Sequence, residues 1–137
     1  MSMDTAAANG TPAEARGELA VRTLAMPADT NPAGDIFGGW LVSQMDLGGA
    51  ILASKISKAR VVTVAMEGMT FLEPVRVGDT VACYARLDRI GKSSMRIPIE
   101  VWANRFMTGE EVRVTEGVFV YVAIDAAGKP VAVRDRA

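Results

Sequence analysis

From Trp40 to Ile56, ten of the residues are apolar: Trp40, Leu41, Val42, Met45, Leu47, Ala50, Ile51, Leu52, Ala53 and Ile56. Turned by about 100° per residue, they cover almost the full circumference of a helix, which must then be buried on most sides. The rest of the chain has the period-two, β-branched texture of strands. A flat sheet cannot enclose a helix. The pattern therefore predicts a strongly curved sheet around one central helix, with a second subunit closing any gap, in an α+β layout.

The helix is expected over about Gly38–Lys58. Strands are expected at Leu19–Met26, Val61–Phe71, Thr80–Ile90, Ser94–Phe106 and Val112–Asp125. In the fourth, Met95, Ile97, Ile99 and Val101 share one face, while Pro98 on the other hints at an edge or a bulge. The connections between the last three strands are too short for parallel crossovers, so they form an antiparallel meander. A length of 137 residues suits one domain. Its expected span is 18–130, after a disordered tail of small and polar residues (1–17) and before a short C-terminal tail (131–137).

With no histidine and one cysteine, the chain can build neither a Ser-His-Asp triad nor a Cys-His pair, and no zinc site from those ligands. No intrachain disulfide can form, so a reducing, cytoplasmic location is expected. The lone thiol, Cys83, reads as a core residue. A net charge of −1 leaves no footprint for nucleic acid or an anionic membrane, and no apolar run is long enough to span a bilayer.

Against this background Asp46 stands out. A carboxylate in an apolar interior is costly unless it is paired or its site is wet. Its helical neighbours Val42, Ser43, Gly49 and Ala50 include no cation. Gly49, Ala50 and Ala53 clear a strip beside it, and each helical glycine costs about 1 kcal/mol relative to alanine. The pair Gly48-Gly49 therefore suggests close approach of another backbone or a ligand. Gly38-Gly39 opens the helix, where free N–H groups and the helix dipole favour negative charge. These amides read either as an oxyanion hole or as a tight turn into the helix. Asp46 lies roughly 12 Å further along the axis. In the preceding loop, Asn31 reads as a group that orients water or a carbonyl, or as a turn former before Pro32. Asp35 reads as a helix cap or, less readily, a second carboxylate.

The stretch TLAMPADTNPAGDIFGGWLVSQMDLGGAILASK, with EGMTFLEPVRVGDTV and IGKSSMRIPIEVWA after it, resembles the hotdog-fold acyl-CoA thioesterases of the YciA type over about residues 20–130. The resemblance implies a curved antiparallel sheet around a central helix and metal-free, cofactor-free hydrolysis of acyl-CoA. It also implies Asp46 as the catalytic acid residue, Gly38 or Gly39 N–H polarising the thioester carbonyl, and a contribution from Asn31. Members form dimers that assemble into hexamers (trimers of dimers), with sites across the dimer interface. Val61–Phe71 of one subunit, Thr63 and Met66 included, would then line its neighbour's site.

Asp46 can act as general base on water or as nucleophile; the base is the favoured reading. Coenzyme A carries phosphates, for which Arg60, Arg89, Lys92 and Ser93 are candidates. GKSS is not a P-loop, because the first glycine of that motif would fall at Arg86. The acyl chain would run along Met45, Met66 and Met69. Competing readings are a non-catalytic CoA-binding regulator on the same fold, a structural oligomer, and a hydroxyacyl-thioester dehydratase. The last resembles families that use a histidine this chain lacks.

Overall fold

The computed structural model describes residues 11–133. Its elements are β1 (Glu18–Leu24), α1 (Gly38–Ser57), β2 (Arg60–Phe71), β3 (Thr80–Ala85), β4 (Arg89–Ile90), β5 (Ser94–Asn104) and β6 (Glu111–Ile124). All strand pairs are antiparallel. The order is β1-β3-β5-β6-β2, with β4 also on β5. The five long strands span roughly 19 Å at a spacing of about 4.8 Å, wider than one helix of about 10–12 Å. Yet each of them contacts α1, so the sheet must curl around the helix.

The alternation expected in β5 holds: Met95, Ile97, Ile99 and Val101 are buried against α1 with Phe119 and Tyr121 of β6. Met45, Leu41 and Leu52 meet them from the helix, each burial stabilising by about 1.5–3 kcal/mol. The helix is less enclosed than its composition suggests. Leu47 and Ile51, on the side away from the sheet, are 56% and 49% exposed. At its end Lys58 takes a left-handed conformation (φ 53°) and donates its N–H to Ser54 O at 2.7 Å, which turns the chain straight into β2.

Two expectations about strands need correction. Pro98 marks neither an edge nor a bulge of its own strand, because β5 lies between β3 and β6. The irregularity is in the neighbour: the expected strand Thr80–Ile90 breaks into β3 and β4. Arg86 N–H donates to Pro98 O at 3.2 Å and Asp88 N–H to Arg96 O at 2.8 Å. In an antiparallel strand the N–H and C=O of a residue point the same way, so the donor missing at Pro98 faces the place where the neighbouring chain leaves the ladder.

The tails also differ from expectation. Residues 1–10 and 134–137 lie outside the described residues, but 11–17 and 131–133 pack onto the sheet. Arg16, 4% exposed, stacks its guanidinium over the Trp102 ring at 3.4 Å and holds both Glu111 carboxylate oxygens at 3.1 Å. Thr11 Oγ1 and Trp102 Nε1 donate to the two oxygens of Glu100. Val133 is buried and donates its N–H to Lys92 O at 2.9 Å. Arg16→Ala removes a stacked cation, the two bonds to Glu111 and a third from Nε to the Thr11 carbonyl. It should lower unfolding free energy by about 2 kcal/mol in urea titration; an unchanged midpoint would mean that this strap contributes nothing to stability.

Candidate active site

Asp46 is the only acid on α1, and it lies on the flank of the helix that faces β2. Its Oδ1 accepts from Thr63 Oγ1 at 2.6 Å and from the Tyr121 hydroxyl at 3.0 Å. That hydroxyl is also 3.0 Å from the main-chain carbonyl oxygen of Asp46. Thr63 and Tyr121 are direct cross-strand partners of β2 and β6, so their side chains rise from the same face of the sheet. Burial and the nearby Asp46 carboxylate push the Tyr121 phenol above its ordinary range. It therefore stays protonated, a permanent donor.

Tyr121 is the site residue that sequence reasoning missed, and its signal was Gly49. A Cβ at Gly49 would run into the Tyr121 hydroxyl and meet Ile99 Cδ1 at 2.8 Å. The strip beside the carboxylate is thus not empty, because a phenol fills it. Gly48 serves the sheet instead: a Cβ there would meet those of Ala20 at 3.3 Å and Cys83 at 3.5 Å. Both glycines admit side chains of the same chain, where the sequence suggested another backbone or a ligand.

Gly38 and Gly39 begin the helix as expected. The residue before them, Phe37, supplies no side-chain cap, and the helix geometry itself gives the first N–H groups no intrahelical acceptor. A Cβ on Gly38 would touch the Phe71 ring at 3.4 Å, which places the helix start on the end of β2. A cavity of ≈ 320 Å³ opens there, and its lining includes Ile36, Leu41, Phe71, Leu72 and Val75. Asp35 does not cap the helix, since the position is Phe37 and is uncapped. Asn31 organises the loop: its Oδ1 accepts from Ala33 and Asp35 N–H at 2.9 and 3.1 Å.

The remaining candidates are dispersed. Met45 is fully buried in the core and cannot line an open acyl groove, whereas Met66 is exposed on β2. Arg60 sits opposite Ile124, and Lys92 and Ser93 accept Val133 and Ala123 N–H through their carbonyls. These three lie at the end of the sheet where α1 ends, while Gly38 is at the other end of a helix about 30 Å long. Arg89 lies directly opposite Arg96 beside a cavity of ≈ 440 Å³ that Glu67 and Val120 also line. Cys83 is buried, its thiol pushed up to about 12 by burial, and it belongs to the core. Among the described residues no group of His, Cys, Asp and Glu could hold a metal ion, and no helix is long and apolar enough to cross a membrane.

One more feature bears on the site. Among the described residues β2 pairs with β6 alone, which leaves its other edge open there, and Val62, Val64 and Met66 are exposed along the strand. A long apolar open edge is a template for a further strand.

The chain matches the thioesterase superfamily over residues 33–108. It is 60% identical, over 118 residues, to the acyl-CoA thioester hydrolase YciA of Salmonella typhimurium, covering 84% of this chain and 89% of that protein. Among solved structures it is similar to a hexameric thioesterase of Yersinia pestis (61% identity, TM-score 0.83, covering 85% of this chain and 96% of that one). It also resembles an acyl-CoA hydrolase of Staphylococcus aureus solved with butyryl coenzyme A and coenzyme A (30% identity, TM-score 0.76, covering 82% and 69%). By fold and by descent, the chain belongs to the hotdog thioesterases, in the branch of the YciA acyl-CoA thioester hydrolases.

Proposed function

We propose that the protein hydrolyses acyl-CoA to a free acid and coenzyme A, with Asp46 as general base. The observation that carries this is a half-buried carboxylate with one oxygen held by two hydroxyls and the other without a partner among the described residues. Oδ2 takes a proton from water, the hydroxide attacks the thioester carbonyl, and the oxyanion accepts from the amides of Gly38 and Gly39. Collapse of the tetrahedral intermediate breaks the C–S bond and expels the CoA thiolate, and the proton held on Asp46 passes to that sulfur or to solvent, which restores the base.

The two halves of this site do not meet within one chain, because about 12 Å of helix separates Gly38 from Asp46. They meet if two β2 edges pair antiparallel about a two-fold axis near Glu67. Phe71 of one copy then falls opposite Thr63 of the other, which brings the Gly38 amides packed on that Phe71 to the Asp46 held by that Thr63. We therefore read the unit as a dimer through β2. Its exposed helix residues, Leu47 and Ile51, are available to gather dimers into a hexamer like that of the Yersinia pestis relative. Arg60, Arg89, Lys92 and Ser93 remain our candidates for the phosphates, and Asn31 for orienting water.

Incubation with a panel of short to long acyl-CoAs and a thiol reagent should show catalytic release of free thiol, unaffected by a chelator since water is the only co-reactant. Stoichiometric binding without turnover would instead make the protein a CoA-binding regulator. With one cysteine and no intrachain disulfide to form, we place it in the cytoplasm; recovery of the native protein outside that fraction would overturn this.

A further inference from the structure

The clamp on Asp46 is unusual in one respect: both acceptors of the Tyr121 hydroxyl, Oδ1 and the main-chain carbonyl, belong to the same residue. A phenol that bridges a side chain to its own backbone fixes the side-chain torsion between them. It reaches the carbonyl because Gly49, three residues on, has no side chain in the way. Thr63 holds the same oxygen from an exposed position on the edge strand, whereas Tyr121 is fully buried.

We propose that Tyr121 is a positioning residue for the hydrolysis: it locks the rotamer of Asp46 so that Oδ2 alone faces the reacting water. This rests on Asp46 being the base. The division of labour follows from burial. Tyr121 is out of reach of solvent and donates constantly, while Thr63 can exchange its partner for substrate or water. A carboxylate freed from Tyr121 keeps its charge and one hydroxyl but gains rotamers in which neither oxygen points at the thioester. Misplacement of a catalytic group by about 1 Å can cost 10²-fold; loss of one of two clamps should cost less.

The test is Tyr121→Phe, which keeps the ring in the notch over Gly49 and removes only the hydroxyl. It should lower kcat about tenfold with KM changed less than about twofold and leave the far-UV spectrum unchanged. A purely structural tyrosine would lower the melting temperature and leave kcat per folded molecule as it was, and that result overturns the inference. The second arm repeats the change in an Asp46→Asn background. There Tyr121→Phe should alter the residual rate less than about twofold, because the group it positions is already inactive; a further tenfold loss would show that Tyr121 does not act through Asp46. The two readings fail separately. Full activity of Asp46→Asn removes the base itself, whereas a dead Asp46→Asn with a Tyr121→Phe of wild-type kcat removes only the positioning role.

Discussion

Asp46→Asn should lower kcat/KM for acyl-CoA by about 10²–10⁴-fold, the range for loss of a general base, without unfolding the protein. The geometry makes this a clean substitution. Asparagine keeps the shape of the side chain, and its Oδ1 can still accept from Thr63 and Tyr121. The Tyr121 phenol, held protonated by burial and by the charge it faces, donates as well to a carboxamide oxygen. What changes is the other branch, where an amide NH₂ replaces the free oxygen and cannot take a proton from water. A nucleophilic carboxylate would be lost equally, so the result tests the assignment of Asp46 rather than its precise role. Single-turnover release of thiol at the wild-type rate would sink that assignment. The melting temperature should stay within a few degrees; a large drop would mean the charge itself holds β2 and β6 to the helix.

How much of this was legible in the sequence depends on how far apart the cooperating residues lie. The helix and long strands are written in local periodicity, so α1 and β5 emerged within a residue or two of their places. The break between β3 and β4 did not, because it is decided by Pro98 on the neighbouring strand. The N-terminal strap was hidden for a similar reason: residues 11–16 look like a polar tail until Trp102 and Glu111 are seen beneath Arg16. At the site, Asp46 and the paired glycines announced themselves by being wrong for a buried helix. Tyr121 looked like one more strand aromatic, since only the register that sets it against Thr63 brings it to the carboxylate. Asp35 had the composition of a cap, but Ile36 first bridges back to Thr30, and Phe37 takes the position.

The open edge of β2 makes the second large prediction. If the glycine amides of one copy serve the Asp46 of another, a chain unable to pair through β2 should fold and fail to turn over. Lysines are what natural edge strands use to discourage such pairing. Val62 and Val64 are exposed along β2, so Val62→Lys combined with Val64→Lys should charge the edge with little cost to the core. Light scattering should then report no more than half the mass of the parent assembly, with a far-UV spectrum like that of the parent. Each oxyanion donor is worth about 10²–10³ in rate, so separating the two halves should cost about a thousandfold in kcat/KM. Asp46 would remain intact in every molecule, with Tyr121 and Thr63 still on its Oδ1, and yet have no polarised carbonyl to work on. Two outcomes speak against this arrangement. A variant so reduced in mass that hydrolyses acyl-CoA at the parent rate would remove the need for pairing through β2, despite the length of helix between the two halves of the site. A double variant that keeps the full mass of the parent would show that β2 is not an interface of the assembly. An active assembly broken to an inactive, folded species of half its mass or less follows only if the carboxylate and the amides come from different copies.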